Sequence, residues 1–492
     1  MKTQRYFKIG LLLVSCLALV SACGPSAEQL AATGVAAQTQ TQSARPSVTL
    51  SPSLTTAPTS TETQTSEPTQ TLTATETRMA TETLIPTPIQ TPKRDARSTP
   101  TVTAKTHQLK IVSSLPMTGM FQTLAESIAN GMQLRVDQAH ARACNGKYTI
   151  QYEALDDASA AAGKWDPDVE IGNARQAAAD RSIIAYLGTY NSGAAMLSIP
   201  ILNEAGPLVM ISPGNTNPSL TKATRGMPDV TKSYYPTGVR NYARVIQSDD
   251  VQGATAAGFV RGLGAKTVYI LDDGELYGKA TADAFEIKAK EIGLRVLGHE
   301  SFDPGAADYK LLMTKIARIN NGRAPDAMYV GAVADNNAAQ LLKDKVSIVG
   351  DNTRVKFIGP DALQNEYMIA SAGAEIAEGI YASIGSLPVE KLPDSAKQFV
   401  RDYEAQYGKL STMDAVYGYE AMNVTLKAIE DVCASGGDPG DRASITRAVF
   451  AIKDFDGILG TWSFDKNGDT SLTDTSFYQV KNGVYVLVGT GK

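Results

Sequence analysis

From residue 107 onward, the hydrophobic positions follow two alternating periods. Short apolar runs bounded by turn residues predict buried strands, and longer segments with apolar residues three or four positions apart predict helices. The first strand is predicted over 109–115 and the first helix over 121–142. In that helix Leu124, Ile128 and Met132 share one face, so the helix should cover the strand that precedes it.

The same alternation continues to residue 358. Further strands are predicted over 148–155, 183–187, 208–211, 267–271, 295–301, 327–330 and 355–358. Further helices are predicted over 174–181, 192–205, 279–292, 308–320 and 336–343. Strands that alternate with helices form parallel sheets flanked by helices. Two consecutive sets of such units predict two α/β lobes.

Residues 1–22 have the pattern of a secretory signal peptide. Lys2, Arg5 and Lys8 precede an apolar run over 9–20, which is too short for an ordinary membrane span. Cys23 follows Val-Ser-Ala, and this arrangement resembles the lipobox of bacterial lipoproteins. The resemblance implies lipidation of Cys23 and an anchor in the membrane; the alternative is a plain signal peptide with an incidental cysteine.

Residues 23–106 are crowded with Thr, Ser, Pro, Gln and Ala, and their large apolar residues are few and scattered. Such a segment cannot bury enough apolar surface to offset the entropy of ordering, so we predict a disordered tether. A random coil of ~80 residues has a mean reach of ~50 Å. The tether would therefore hold a folded part away from the membrane.

The folded part begins at residue 107 and is too long for a single core, so we expect two domains. Its composition limits the kinds of partner and of cross-link that it can have. The formal net charge of −5, with Lys and Arg scattered along the chain, argues against nucleic acid as a partner. Besides Cys23, the mature chain has only Cys144 and Cys433. Two thiols in an exported protein predict one disulfide, with two buried free thiols as the alternative.

A series of loop motifs carries a resemblance to one family. The first strand leads into Leu-Pro-Met-Thr-Gly at 115–119. Six further motifs follow in order at 188–193, 211–218, 263–266, 272–278, 357–361 and 377–379. Their order and spacing resemble the type I periplasmic binding proteins, and the branched-chain amino-acid group in particular, from about residue 107 to the C terminus.

The resemblance implies an α/β fold of two doubly wound parallel-sheet lobes joined by three hinge crossovers. The crossovers are expected at 246–249, 384–386 and 472–474. Lobe 1 would comprise 107–246 and 386–472, and lobe 2 would comprise 247–385 and 473–492. Ligand would bind in the cleft between the lobes, which would close around it.

Four candidate ligand-binding residues follow strands of lobe 1. Asn191 and Ser192 open a helix whose first N–H groups, with the Ser192 hydroxyl, suit a carboxylate, although Ser192 could also be a simple N-cap. The resemblance implies that Gly214 and Thr216 contact the ligand's head group. The alternative for these two is an ordinary turn.

The resemblance also implies that Tyr277 covers the bound amino acid and that Asp361 pairs with its ammonium group. The alternatives are core packing for Tyr277 and a solvated turn for Asp361, which stands where branched-chain binders usually have Glu. Asp414 falls near a position that is aromatic in those relatives, and Phe121 could line the mouth of the cleft. This sequence therefore matches the family better at the positions that contact the ligand's head group than at those that surround its side chain.

Catalytic and metal-binding patterns are largely absent from the sequence. None of His107, His140 and His299 has the spacing to Cys or another His that zinc sites show. The segment 465–471 resembles a calcium loop but lacks the required Gly and Glu, so a hairpin turn at 467–468 fits it better. We therefore predict a protein that is not an enzyme and that needs no metal or cofactor.

These observations predict an extracytoplasmic, lipid-anchored and monomeric substrate-binding protein of an ABC importer. It would capture an amino acid, with a branched-chain amino acid as the leading ligand, and deliver it to the permease in the membrane. The alternative is a receptor of the same fold that senses an amino acid, amide or urea-like ligand and signals to a partner protein.

Overall fold

The structure is a computed structural model that describes residues 107–223, 231–410 and 412–491. The predicted signal peptide, Cys23 and the predicted tether lie outside the described residues. Within the described part of the chain, every helix is too short or too polar to cross a bilayer.

The first sheet is formed by the N-terminal strands. Strands β1 to β6 are His107–Leu115, Arg142–Ala143, Tyr148–Asp156, Ile183–Gly188, Val209–Ser212 and Tyr242–Arg244. Helices α1 to α4 are Gln122–Gln138, Pro167–Ala179, Ser192–Glu204 and Thr231–Tyr234. The strand order is β2-β3-β1-β4-β5-β6, and all neighbours are parallel except the edge pair β2 and β3.

The second half of the chain builds the other sheet. Strands β7 to β11 are Thr267–Asp272, Arg295–Ser301, Ala327–Gly331, Lys356–Gly359 and Tyr381–Ile384. Helices α5 to α10 are Asp249–Gly262, Leu276–Glu291, Lys310–Ile316, Ala339–Ile348, Glu366–Ala372 and Ala374–Ala377. After three more helices, α11 (Asp394–Tyr407), α12 (Asp414–Ala434) and α13 (Arg442–Phe450), a small hairpin pairs β12 (Phe455–Gly457) with β13 (Gly460–Trp462).

Strands β14 (Thr475–Lys481) and β15 (Val484–Gly491) complete the second sheet, in the order β15-β14-β11-β10-β9-β7-β8. Strands β7 to β11 pair in parallel, and β14 and β15 are antiparallel additions at one edge. The predicted fold class of two doubly wound α/β lobes is confirmed, with antiparallel strands at an edge of each sheet.

The chain crosses between the sheets after β6, after β11 and before β14. Side chains tie these three crossings together. Gln247 donates from Nε2 to the Thr475 hydroxyl over 3.0 Å, and the Ser476 hydroxyl donates to the Ser386 carbonyl over 2.6 Å. The crossings therefore lie side by side.

Helix α12 packs closely on α1 and closes one side of the first core. A Cβ atom added at Gly131 would lie 2.2 Å from the Ala415 carbonyl oxygen, so the helices touch backbone to backbone there. Beyond the end of α1, Cys144 forms a disulfide with Cys433 near the end of α12. The structure thus contains the predicted pair rather than two free thiols.

Several predicted helix boundaries were wrong for local reasons. The helix predicted to reach residue 142 ends at Gln138, because His140 and Ala141 adopt positive φ angles of 53° and 49°. Helix α2 begins at Pro167 instead of 174, since the Asp166 carboxylate caps it by accepting from the Asp168 N–H. The helix predicted from 336 becomes regular only at Ala339, because residue 337 is left-handed.

Candidate functional site

Loops at the carboxyl ends of strands from both sheets converge on two adjoining cavities. The smaller is lined by eight residues: Tyr190, Asn191, Ser192, Gly214, Tyr277, Val333, Asp361 and Ala362. The larger is lined by eleven: Leu124, Tyr190, Ile246, Asp361, Ala362, Gln364, Asn365, Ile384, Met413, Asp414 and Tyr417. Crevices at the carboxyl ends of parallel strands are the usual ligand sites of such sheets.

The wall from the first sheet begins at the N terminus of α3. Asn191 is the N-cap residue, but its side chain caps nothing, and its Oδ1 has no hydrogen-bond partner among the described residues although Asn191 is only 8% exposed. The Ser192 hydroxyl accepts from the Asn217 N–H over 3.3 Å. This helix end therefore offers the cavity a positive dipole end together with polar side chains.

The loop after β5 lies directly behind Tyr190. A Cβ at Gly214 would come within 2.7 Å of the Tyr190 ring, so the loop and the ring can touch only because residue 214 is glycine. Thr216 is 1% exposed, and its hydroxyl lies beside the buried carboxyl of Asp249. Thr216 lies behind the cavity surface and is not among the residues that line it.

Arg244, at the end of β6, fixes this loop. Its guanidinium donates to the Asn217 carbonyl over 2.8 Å, to the Thr221 hydroxyl over 2.7 Å and to the Asp469 carboxylate over 2.7 Å. Although burial alone would raise it, Arg244 and Lys222 lower the pKa of Asp469. A buried ion pair thus anchors the loop that carries Gly214 and Thr216.

The wall from the second sheet is built around Asp361, which follows β10. The Tyr277 hydroxyl donates to Asp361 Oδ1 over 2.5 Å, and Gln252 Nε2 donates to the same oxygen over 3.1 Å. The Ala362 N–H in turn donates to the Tyr277 hydroxyl. Burial raises the pKa of Asp361 above its usual value even though both donors oppose that shift.

Asp414, the first residue of α12, faces the larger cavity. Burial, followed by repulsion from Asp361, raises the pKa of Asp414 to about 6. Both carboxyls are surrounded by protein yet keep some accessible surface because they face the cavities.

The structure brings most of the predicted site residues together. Five of them line the smaller cavity: Asn191, Ser192, Gly214, Tyr277 and Asp361. Asp414 lines the adjoining cavity together with Asp361, and Thr216 lies one layer behind. Phe121 lies in neither cavity but borders a wider outer groove, with its ring 5.4 Å from that of Tyr190.

A match to a known protein family identifies the family of this chain. The sequence profile described as periplasmic binding protein matches residues 108–484, more than three quarters of the chain. The chain belongs to the periplasmic binding protein family. Members of this family bind solutes outside the cytoplasm rather than catalyse reactions, so the predictions of a non-enzymatic role and of an extracytoplasmic location are confirmed.

Curated relatives of this periplasmic binding protein carry related names. A Leu/Ile/Val-binding protein of Rhizobium johnstonii is 26% identical over 372 residues, which cover 75% of this chain and 91% of that protein. An amino acid binding protein of Pseudomonas aeruginosa is 23% identical, over 74% of this chain and 88% of its own length.

Solved structures show the same fold. The leucine binding protein of Thermotoga maritima has a TM-score of 0.64 and 25% identity, and covers 78% of this chain and 98% of its own. A Rhodopseudomonas palustris solute-binding protein in complex with benzoate has a TM-score of 0.61 and 20% identity, over 78% of this chain and 96% of its own.

Sequence reasoning missed several residues of the binding protein's cleft. Tyr190 lines both cavities, and its signal was its place between strand β4 and Asn191 in a motif already singled out. Gln252 comes from α5, and nothing in its own segment indicated contact with Asp361. Lys164, in the loop between β3 and α2, contacts residues that follow strands of the second sheet.

Three polar contacts close the mouth of the cleft. Lys164 Nζ lies 3.1 Å from the Glu275 carboxylate and 2.8 Å from Asn336 Oδ1. Asn217 Nδ2 donates to the Leu276 carbonyl over 2.6 Å. Residues that follow strands of the first sheet thus contact residues that follow strands of the second, and the structure shows the two lobes in contact.

One group of potential metal ligands lies away from the cleft. Asp283, Glu286 and His299 come close enough to share a cation, which the zinc spacing argument missed because the three meet in space and not in sequence. Hydrogen bonds already explain the arrangement, since the two ring nitrogens of His299 lie 3.1 Å from Glu286 and 3.2 Å from Asp272.

Proposed function

We propose that this chain is the substrate-binding component of an ABC importer and that it captures an amino acid between its lobes. The observation that carries the proposal is a single cavity with opposite chemistry on its two walls. The N terminus of α3 and the Ser192 hydroxyl suit a carboxylate, and Asp361 suits an ammonium group. A free amino acid carries both groups on one carbon atom.

The names of the relatives support this ligand class. The Rhizobium johnstonii protein is a Leu/Ile/Val-binding protein, and a Streptococcus pneumoniae protein of the same fold was solved with isoleucine. Benzoate, the ligand of one structural neighbour, has a carboxylate but no ammonium group. Such a ligand would leave the charge of Asp361 without a cation, which favours a zwitterion for this chain.

The remaining parts of the proposal concern delivery. Lipidation at Cys23 would hold the protein at the membrane, and the segment 23–106 would act as its tether. The proposed lobes, 107–246 with 386–472 and 247–385 with 473–492, would hinge at the three crossings and present the closed protein, as a monomer, to the permease. Closure by ligand contacts that form only in the closed state is the expected mechanism.

Thermal unfolding of the purified full-length protein with free L-amino acids and with benzoate tests the proposal. At a ligand concentration of about 100 times Kd, stability should rise by ~2.7 kcal/mol. Asp361→Asn should weaken binding of every ligand that has an ammonium group. The matched control is Asp394→Asn, which removes a carboxylate that is 95% exposed.

Two results would contradict the proposal. The first is a panel in which no amino acid raises the unfolding temperature of the wild-type protein. The second is an Asp361→Asn variant that binds amino acids as tightly as the Asp394→Asn control does.

A further inference from the structure

The two adjoining cavities carry more negative charge than one ammonium group can balance. Asp361 and Asp414 both line the larger cavity. None of the residues that line either cavity is Lys, Arg or His. In the absence of a cation, two carboxylates in one enclosed space repel each other and lose hydration, so each favours its protonated form.

Basic residues near the cleft are already engaged elsewhere. Lys164 contacts Glu275 and Asn336 at the mouth, and Arg244 is held by Asp469. Lys409 borders the outer groove and lines neither cavity. The protein therefore supplies no cation from its described residues to the carboxyl of Asp414.

An unpaired acceptor on the opposite wall points the same way. Asn191 lines the smaller cavity at 8% exposure, and its Oδ1 has no partner among the described residues. Buried polar atoms usually have partners, so this acceptor indicates a ligand that carries N–H donors.

We propose that the ligand carries a second positively charged group at the end of its side chain and that Asp414 binds it. The inference rests on the proposed function, in which Asp361 takes the α-ammonium group and the N terminus of α3 takes the carboxylate. The ligand class would then be amino acids with a cationic side chain, of the diamino or guanidino type. An apolar side chain would leave the negative charge of Asp414 in the cavity without a cation, which disfavours leucine and its analogues.

A pair of ligands with the same carbon chain tests the inference without any mutation. L-Ornithine is L-norvaline with an added terminal ammonium group, so calorimetric Kd values of the two for the purified full-length protein isolate the effect of that group. We expect ornithine to bind at least about tenfold more tightly, as a charged hydrogen bond permits. L-Glutamine is the control ligand, because its side chain has N–H donors but no charge.

Variants at residue 414 assign the effect to this carboxyl. Asp414→Asn should abolish the preference for ornithine over norvaline, whereas Asp414→Glu should keep it and Asp394→Asn should leave it unchanged. Unfolding midpoints measured without ligand check that each variant is folded. If a variant does not fold, the comparison of ornithine with norvaline in the wild-type protein still tests the inference.

The outcomes separate the inference from the proposed function. Norvaline or glutamine binding to the wild-type protein as tightly as ornithine would overturn the inference and leave amino-acid binding in place. A preference for ornithine that survives in a folded Asp414→Asn variant would also overturn it. If none of the three amino acids binds, the proposed function itself fails, and the inference fails with it.

Discussion

Removing the Asp469 carboxylate should destabilise the protein strongly, because it leaves the charge of Arg244 buried. Arg244 has no exposed side-chain surface, and the Asp469 side chain is only 10% exposed. Breaking one partner out of a buried ion pair costs about 3–5 kcal/mol. In Asp469→Asn the hydrogen bonds from Arg244 to Asn217 and Thr221 remain, so we expect a loss near the lower end of that range.

Equilibrium unfolding in urea measures this loss, and an exposed pair provides the matched control. Asp431 pairs with Lys427 one turn away on α12, where both side chains are more than 40% exposed. Asp431→Asn should therefore change the free energy of unfolding by only about 0.3–0.5 kcal/mol. If Asp469→Asn loses no more stability than Asp431→Asn, the ion pair does not have the role described above.

The pH dependence gives a second readout of the same pair. Arg244 and Lys222 lower the pKa of Asp469 against the effect of burial, so this carboxyl stabilises the folded state above the pKa of an unfolded Asp, about 3.9. That contribution is lost as the pH falls through the lower folded value. The stability difference between wild type and Asp469→Asn should therefore be constant near neutral pH and shrink in the acid range below pH ~4.

Two further predictions concern the first core. Gly131→Ala should destabilise the protein by about 1–3 kcal/mol in urea, because its Cβ would lie 2.2 Å from a carbonyl oxygen of α12. Gly172→Ala in α2, where nothing outside the adjacent helical backbone lies within 4 Å of the added Cβ, should be neutral or stabilising, and equal losses in the two variants would contradict the close helix contact. Burial raises the pKa of Glu170 to about 7, so its contribution is fully present below pH ~4 and is lost as the pH rises through 7. The fall in stability from pH 5 to pH 8 should be smaller in Glu170→Gln than in wild type, and an unchanged fall would refute the raised pKa.

The sequence predicted the strands well because of where they lie. Strand β4, Ile183–Gly188, is buried along its whole length, so it appears in the sequence as an unbroken apolar run. Helix boundaries were less predictable because they depend on local conformations. Helix α1 ends where His140 turns to positive φ, and helix periodicity does not indicate such a residue. The Asp166-Pro167 start of α2 is visible in the sequence as an N-cap residue followed by proline, but the helix was predicted only from residue 174.

Some residues of the candidate site could likewise be predicted from the sequence, and others could not. Ser192, Gly214 and Asp361 could be predicted because each lies within four residues of the end of a strand, and the carboxyl ends of parallel strands meet at one edge of a sheet. Gln252 was missed, and Asp414 was a candidate only through the resemblance, because each lies near the start of a helix from a different part of the chain. The folded structure brings both residues close to Asp361.

In the proposed closing mechanism, the contacts at the mouth favour the closed state, whereas the two carboxyls inside the cleft oppose it. Lys164 and Glu275 are about one-third exposed, and such a pair contributes only ~0–1 kcal/mol. The hydrogen bond from Asn217 to the Leu276 carbonyl adds about 1 kcal/mol. Closing the lobes also removes water from Asp361 and Asp414, whose raised pKa values reflect first burial and then, for Asp414, their mutual repulsion. In the proposed closing mechanism, a ligand that supplies positive charge would therefore change the population of the closed state more than these weak contacts at the mouth do.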